Sequence, residues 1–95
     1  MSDLHPTSGA RFLLERIADA DHRATYRASI YTPAASYSSL ATLCDDGTIS
    51  LPPTGAPPPL DDTLATFAKL TARSAAKRRD DGLPPWPARV LRWRP

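Results

Sequence analysis

A β-hairpin is predicted by residues 36–51, SYSSLATLCDDGTISL. The centre of this stretch is Asp-Asp-Gly at positions 45–47, where glycine can adopt the positive φ of a type I turn followed by a bulge. In that register Leu43 faces Ile49, and the apolar residues of both strands lie on one face while the hydroxyl residues lie on the other. Turn chemistry and alternation therefore agree on a half-buried antiparallel sheet.

Two further strands are predicted before this hairpin. Residues 24–32 alternate between apolar and polar side chains in β-branched and aromatic company, which is typical of a strand. Residues 11–17 fit a strand by alternation and a helix by three- and four-residue spacing. We favour the strand, because Asp19 and Asp21 follow this segment and a helix dipole repels carboxylates at its C-terminus.

A helix is predicted after a proline-rich connection over residues 52–59. This connection holds five Pro and one Gly, so it excludes a helix or a central strand there. The helix is expected to start at an N-cap formed by Asp61 or Asp62 and to run to about Arg79, before Gly82 stops it. Apolar residues recur along it at the spacing of an amphipathic helix.

Strands followed by one segregated helix predict a two-layer α+β domain. We expect an antiparallel β-meander of three to four strands, one long amphipathic helix packed on one face, and a final C-terminal strand over residues 88–93. This single domain spans residues 10–95, and residues 1–9 are predicted to form a flexible arm because they lack periodicity. The expected core comprises Tyr26, Ile30, Leu43, Ile49, Leu51, Leu64, Phe67, Val90 and Leu91.

Composition excludes several classes of protein. Cys44 is the only cysteine, so neither an internal disulfide nor a four-thiolate metal site can form. No stretch is long and apolar enough to span a bilayer, and the first residues lack the features of a signal peptide, so we expect a cytoplasmic protein without a membrane partner. The absence of Asn and Gln, with ten Arg against two Lys, is typical of a GC-rich genome. The overall pattern of elements resembles that of short bacterial α+β domains.

The net charge of +2 conceals an uneven distribution. Residues 69–95 carry eight Lys or Arg against two Asp, whereas residues 1–68 carry four Arg against eight Asp or Glu. Cations on an exposed surface can follow a phosphate backbone, although the same residues also suit the solvated face of a helix. The candidate contacts with nucleic acid or another polyanion are Lys69, Arg73, Lys77, Arg78, Arg79, Arg92 and Arg94.

Aromatic residues supply a second candidate surface. Large aromatic side chains anchor many protein interfaces, although tryptophans in a chain short of apolar residues also serve as core. The candidate anchors are Tyr31, Trp86 and Trp93, and Trp86, which lies between prolines, is expected to be the more exposed tryptophan. We therefore predict a non-catalytic protein-interaction module, with self-association open, and non-sequence-specific nucleic-acid or polyanion binding as the alternative.

No catalytic, metal or cofactor site is predicted. The segment Asp19-Ala20-Asp21-His22 offers too few ligands for a cation and fits a turn. Cys44 precedes two aspartates, whose charges disfavour a thiolate nucleophile, and the isolated glycines form no phosphate-binding loop. The chain is therefore not expected to be an enzyme or to carry a cofactor.

Overall fold

The computed structural model describes residues 5–95, and within them it contains one five-stranded sheet and one helix. The strands are β1 (Ala10–Asp19), β2 (Arg23–Tyr31), β3 (Ser36–Cys44), β4 (Ile49–Ser50) and β5 (Arg89–Arg94), and the helix α1 spans Pro58–Asp80. The sheet order is β4-β3-β2-β1-β5, and every neighbouring pair is antiparallel. The predicted α+β class, the meander and the final strand are confirmed, and residues 11–17 lie in a strand.

The predicted hairpin between β3 and β4 is confirmed in its register. Leu43 pairs with Ile49, and the amide of Cys44 donates to the carbonyl oxygen of Thr48 at 2.9 Å. Gly47 has a φ of +91°, as the turn requires. Strand β4 is only two residues long, because two prolines follow Leu51 and cannot donate to the ladder.

Helix α1 begins earlier than its sequence pattern predicts. Pro58 and Pro59 occupy its first turn, where a missing amide hydrogen has no consequence because those donors have no partner within the helix. The predicted aspartate N-cap is wrong, since Pro57 is the N-cap residue and no side chain of the described residues caps this helix. Asp61 instead accepts a hydrogen bond of 2.7 Å from the hydroxyl of Thr54 and so ties the proline-rich connection to the first turn.

The core lies between α1 and one face of the sheet. Phe67 of the helix meets Phe12 of β1 with ring centroids 5.4 Å apart, and Leu64 and Tyr26 are fully buried nearby. Small residues complete both surfaces, namely Ala68, Ala72 and Ala75 on the helix and Ala24, Ala28 and Ala41 on the sheet. Burying each large side chain contributes about 1.5–3 kcal/mol, so this interface is the main source of stability.

Strand alternation corrects one predicted core residue. Leu91 is 38% exposed, because it shares the uncovered face of the sheet with Arg89 and Trp93 while Val90 faces the helix. On the same uncovered face Leu13 is only 1% exposed, between Ser29 of β2 and Leu91 of β5. The uncovered face therefore has a small apolar centre of its own.

The arm before β1 contacts the sheet where it is described. Residues 1–4 of the predicted flexible arm lie outside the described residues, and the flexibility of the arm stays a prediction. Nδ1 of His5 lies 2.6 Å from the carbonyl oxygen of Thr32, and its ring meets Tyr31 edge-on at 5.4 Å. The indole of Trp93 donates to the carbonyl oxygen of Ser8 at 3.0 Å. These contacts bring residues 5–9 against the end of the sheet.

Candidate anion-binding groove

A groove of about 400 Å³ lies between α1 and the edge strand β5. We call it the α1–β5 groove. The residues from the helix recur at three- and four-residue spacing and so share one helical face. The groove is lined by Phe67, Leu70, Thr71, Ser74 and Arg78 of the helix, and by Pro87, Arg89, Val90, Arg92 and Arg94 of the final segment.

The floor of the groove is apolar and its walls are cationic. Alternation along β5 turns Val90, Arg92 and Arg94 towards the helix, while the side chain of Arg89 points to the other face of the sheet. Val90 packs against the core, and the guanidinium carbon of Arg94 lies 5.0 Å from the centroid of the Phe67 ring. This cation–π contact holds the Arg94 side chain over the floor of the groove.

The groove arginines are held by neutral acceptors. The Nε of Arg78 donates to the carbonyl oxygen of Pro84 at 2.8 Å, and a guanidinium nitrogen of Arg92 donates to the carbonyl oxygen of Leu91 at 2.8 Å. Arg94 reaches the carbonyl oxygen of Trp93 at 3.5 Å. Each guanidinium has five N–H donors, so each keeps several donors for a further acceptor.

No described residue that lines the groove is acidic, and within residues 5–95 none of its arginines forms an ion pair. Like charges beside one cleft repel each other and raise the local concentration of anions. A carboxylate or phosphate entering the groove would relieve that repulsion and could accept paired hydrogen bonds from a guanidinium. The arrangement therefore suits the binding of an anion.

The other predicted cation contacts lie away from this groove. Lys77 pairs with Asp81 at 3.2 Å, and Arg79 pairs with Asp45 at 3.1 Å, so both already have carboxylate partners. Arg73 runs beside Gly47 of the hairpin, and Lys69 is exposed on the outer side of the helix. The seven candidate cations thus do not form one basic face, and the structure brings together only Arg78, Arg92 and Arg94.

Two of the three predicted interaction anchors lie on the uncovered face of the sheet. Trp93 is 47% exposed, and Tyr31 is half-buried beneath His5. Trp86 is 1% exposed, so the prediction that it is the more exposed tryptophan is wrong. It belongs to the core cluster, and a guanidinium nitrogen of Arg16 donates to its carbonyl oxygen at 2.7 Å.

Burial around Trp86 also affects Tyr26. Its hydroxyl donates to the carbonyl oxygen of Pro87 at 2.7 Å, and burial raises the pKa of Tyr26 to about 12. The indole Nε1 of Trp86 has no hydrogen-bond partner among the described residues. The turn before β5 is therefore a structural part of the core.

A second cluster of ionisable groups joins the two hairpin turns to the end of α1. Asp45 accepts hydrogen bonds from His22 at 2.8 Å and from Arg79 at 3.1 Å, and these bonds hold the pKa of Asp45 below its ordinary value. Arg79 also donates to the carbonyl oxygen of Asp21. In residues 5–95, no group of three or more metal-ligating side chains is placed to hold an ion. The cluster therefore acts as a tether between elements.

Comparison with known proteins adds no relative: no family model, curated protein or solved structure matches this chain. Within the described part of the chain, the helix is not apolar enough over a sufficient length to cross a membrane. The groove therefore has to be interpreted from its own residues. Sequence reasoning identified three of its four arginines but missed Arg89 and the apolar floor, although the helical spacing of Phe67, Leu70 and Thr71 with Arg78 was a usable signal.

Proposed function

We propose that this chain is a non-catalytic binding module that holds an acidic segment of a partner protein in the α1–β5 groove. The observation that carries the proposal is the meeting of Arg78, Arg92 and Arg94 at a groove with no acidic residue in its described lining. A reduced, cytoplasmic setting is part of the same proposal, and a chain whose single cysteine can form no internal disulfide would fold there without an oxidant.

The mixed chemistry of the groove favours a polypeptide over a nucleic acid. Phe67 and Val90 form an apolar floor, and Leu70 beside them is 52% exposed. A polypeptide can lay the methylene groups of its acidic side chains on such a floor while their carboxylates reach the guanidinium groups, whereas a phosphodiester backbone offers only anionic and sugar groups. Lys77 and Arg79 are already paired with carboxylates, so the cations do not form the continuous track that backbone binding uses.

Carboxylates are well matched to the available donors. The hydroxyl groups of Thr71 and Ser74 donate to helix carbonyl oxygens at 3.0 and 2.8 Å, so their hydrogens are already engaged. The guanidinium groups are therefore the main donors of the groove, and a planar guanidinium binds a carboxylate through two parallel hydrogen bonds. Aspartate and glutamate side chains are the simplest ligands that fit.

The test compares two triple variants that lose the same charge. The groove variant is Arg78→Gln, Arg92→Gln, Arg94→Gln, and the matched control is Lys69→Gln, Arg73→Gln, Lys77→Gln. Binding of a fluorescein-labelled glutamate-rich peptide is measured by anisotropy at about 50 mM and about 200 mM salt, a range over which exposed ion pairs weaken. Three exposed pairs of about 0.2–1 kcal/mol each contribute about 0.6–3 kcal/mol in total, so we expect the groove variant to weaken binding about tenfold, near the middle of that range. The control should change binding by less than about threefold.

A single-stranded oligonucleotide is measured in parallel. Tighter binding of the oligonucleotide than of the peptide, weakened equally by both variants, would support the nucleic-acid alternative and refute this proposal. Equal loss of peptide binding in both variants would also refute it, because general positive charge would then explain the affinity.

A further inference from the structure

Strand β5 is an outer strand of the sheet, and among residues 5–95 no strand pairs with its second side. Within the described residues it pairs only with β1, from Ala10↔Arg94 to Glu15↔Arg89. It is six residues long, or about 20 Å, and borders the groove along its length. An unpaired strand of this length is a template for an added strand unless something blocks it.

The pairing with β1 fixes which backbone groups of β5 point outward. The amide of Arg16 donates to the carbonyl oxygen of Ala88 at 2.9 Å, so the backbone N–H and C=O groups of Ala88 point towards β1. Since antiparallel ladders alternate, Val90 and Arg92 also bond to β1, while Leu91 and Trp93 direct their N–H and C=O groups away from the sheet.

Two contacts agree with that assignment. The carbonyl oxygens of Leu91 and Trp93 accept hydrogen bonds from the guanidinium groups of Arg92 and Arg94, at 2.8 and 3.5 Å. These carbonyls are therefore accessible from the free side of β5. The arginines cover the outward acceptors, and a second copy of β5 would bring its own arginines against them, which disfavours pairing between copies.

We propose that the acidic segment binds as a sixth strand, antiparallel to β5, and that its acidic and apolar residues alternate. This inference rests on the proposed function and names the form of the ligand. Amides of the incoming strand would replace the guanidinium donors at the carbonyls of Leu91 and Trp93. The released guanidinium groups of Arg92 and Arg94 would then turn to carboxylates of the new strand on the helix side of the sheet.

The register also assigns the apolar residues of the ligand. In an antiparallel ladder, residues that exchange hydrogen bonds with each other have side chains on the same face. Ligand residues whose amides face β5 therefore lie opposite Leu91 and Trp93 on the uncovered face, where these side chains are 38% and 47% exposed. Apolar residues suit those positions, and acidic residues suit the alternate positions opposite Arg92 and Arg94.

The test uses backbone N-methylation, which removes one amide donor and blocks close approach on that side of a strand. The probe is a fluorescein-labelled peptide of alternating Glu and Val, matched to the six residues of β5. One derivative is N-methylated at every Val and the other at every Glu, so that both carry the same number of methyl groups and the same charge. Binding to the intact protein is measured by anisotropy.

We expect methylation at Val to weaken binding about tenfold or more and methylation at Glu to change it less than about threefold, because only the Val amides face β5. In hydrogen exchange, the peptide should protect the amides of Leu91 and Trp93, which face outward, more than those of Val90 and Arg92. Together these results would support strand addition.

Other outcomes separate this inference from the proposed function. If the acidic peptide binds and neither methylation matters, strand addition is overturned while groove binding stands. Loss of binding on methylation at Glu instead of Val would overturn the antiparallel register. If no acidic peptide binds, the proposed function fails and this inference fails with it.

Discussion

Replacing Trp86 by alanine should destabilise the fold more than any other change in the final segment. Trp86 is 1% exposed and belongs to the core cluster that α1 shares with the sheet. Truncating a buried tryptophan to alanine costs about 3–5 kcal/mol, because both transfer energy and packing contacts are lost. A 95-residue domain has a total free energy of unfolding of about 5–14 kcal/mol, so this substitution removes about a fifth of it or more.

Urea unfolding followed by circular dichroism measures this loss. With a slope of about 1–2 kcal/mol per molar urea, the midpoint should fall by about 1.5 M or more in Trp86→Ala. The control is Trp93→Ala, a tryptophan of the same segment that is 47% exposed, and it should change the free energy of unfolding by less than about 1.5 kcal/mol. Equal effects of the two substitutions would show that the proline-rich turn before β5 is not part of the core.

A third substitution tests the indole nitrogen itself. The Nε1 of Trp86 has no partner among the described residues, and a buried donor without a partner costs about 1–3 kcal/mol. Trp86→Phe removes that donor and also some buried area, so the two effects oppose each other. We expect a free energy of unfolding within about 1.5 kcal/mol of the unchanged protein, and a loss as large as that of the alanine variant would contradict the assigned environment.

Two further predictions concern backbone and charge. Gly9 has a φ of +71°, and an added Cβ would collide with the backbone of β5, so Gly9→Ala should lower the free energy of unfolding by about 2 kcal/mol or more. Gly82 has a φ of +78° but open space around it. Gly82→Ala should therefore lower the free energy of unfolding only by the roughly 1 kcal/mol of the left-handed conformation. Urea midpoints of the two alanine variants decide this, and equal values would contradict the close approach. The hydrogen bonds from His22 and then Arg79 lower the pKa of Asp45 in the folded protein. Their contribution to the free energy of unfolding is therefore fully present above the ordinary carboxyl pKa of 3.8, and it is lost as the pH falls from that value through the lower pKa of the folded state. Asp45→Asn should flatten the acid limb of a stability–pH curve, and an unchanged limb would show that the tether contributes nothing.

Local chemistry made most of the fold predictable. The hairpin at Gly47 combines a turn that needs a positive φ with alternation on both sides, so its register follows from about ten neighbouring residues. The buried face of α1 follows from helical spacing in the same local way. The start of α1 was misplaced, because prolines that exclude a helix interior are favourable in its first turn.

The features that could not be predicted depend on contacts between segments that lie far apart in the sequence. Trp86 lies in a segment without periodicity, and only the path of the chain after Gly82 makes it a core residue. The groove forms because β5 joins β1 instead of β4, which brings Arg92 and Arg94 beside Arg78 of the helix. Charge counting selected seven cations, and tertiary structure separated three of them from the rest.

The place of β5 in the sheet also has a kinetic consequence. Strand β1 holds the apolar run Phe12-Leu13-Leu14, and its partner on one side is the last strand of this sequence. During synthesis that side of β1 stays open until Arg89–Arg94 has left the ribosome, so the sheet can close only after translation of the segment is finished. Nascent chains therefore expose the apolar, unpaired edge of β1 for the whole time needed to synthesise the helix, which makes them candidates for binding by chaperones.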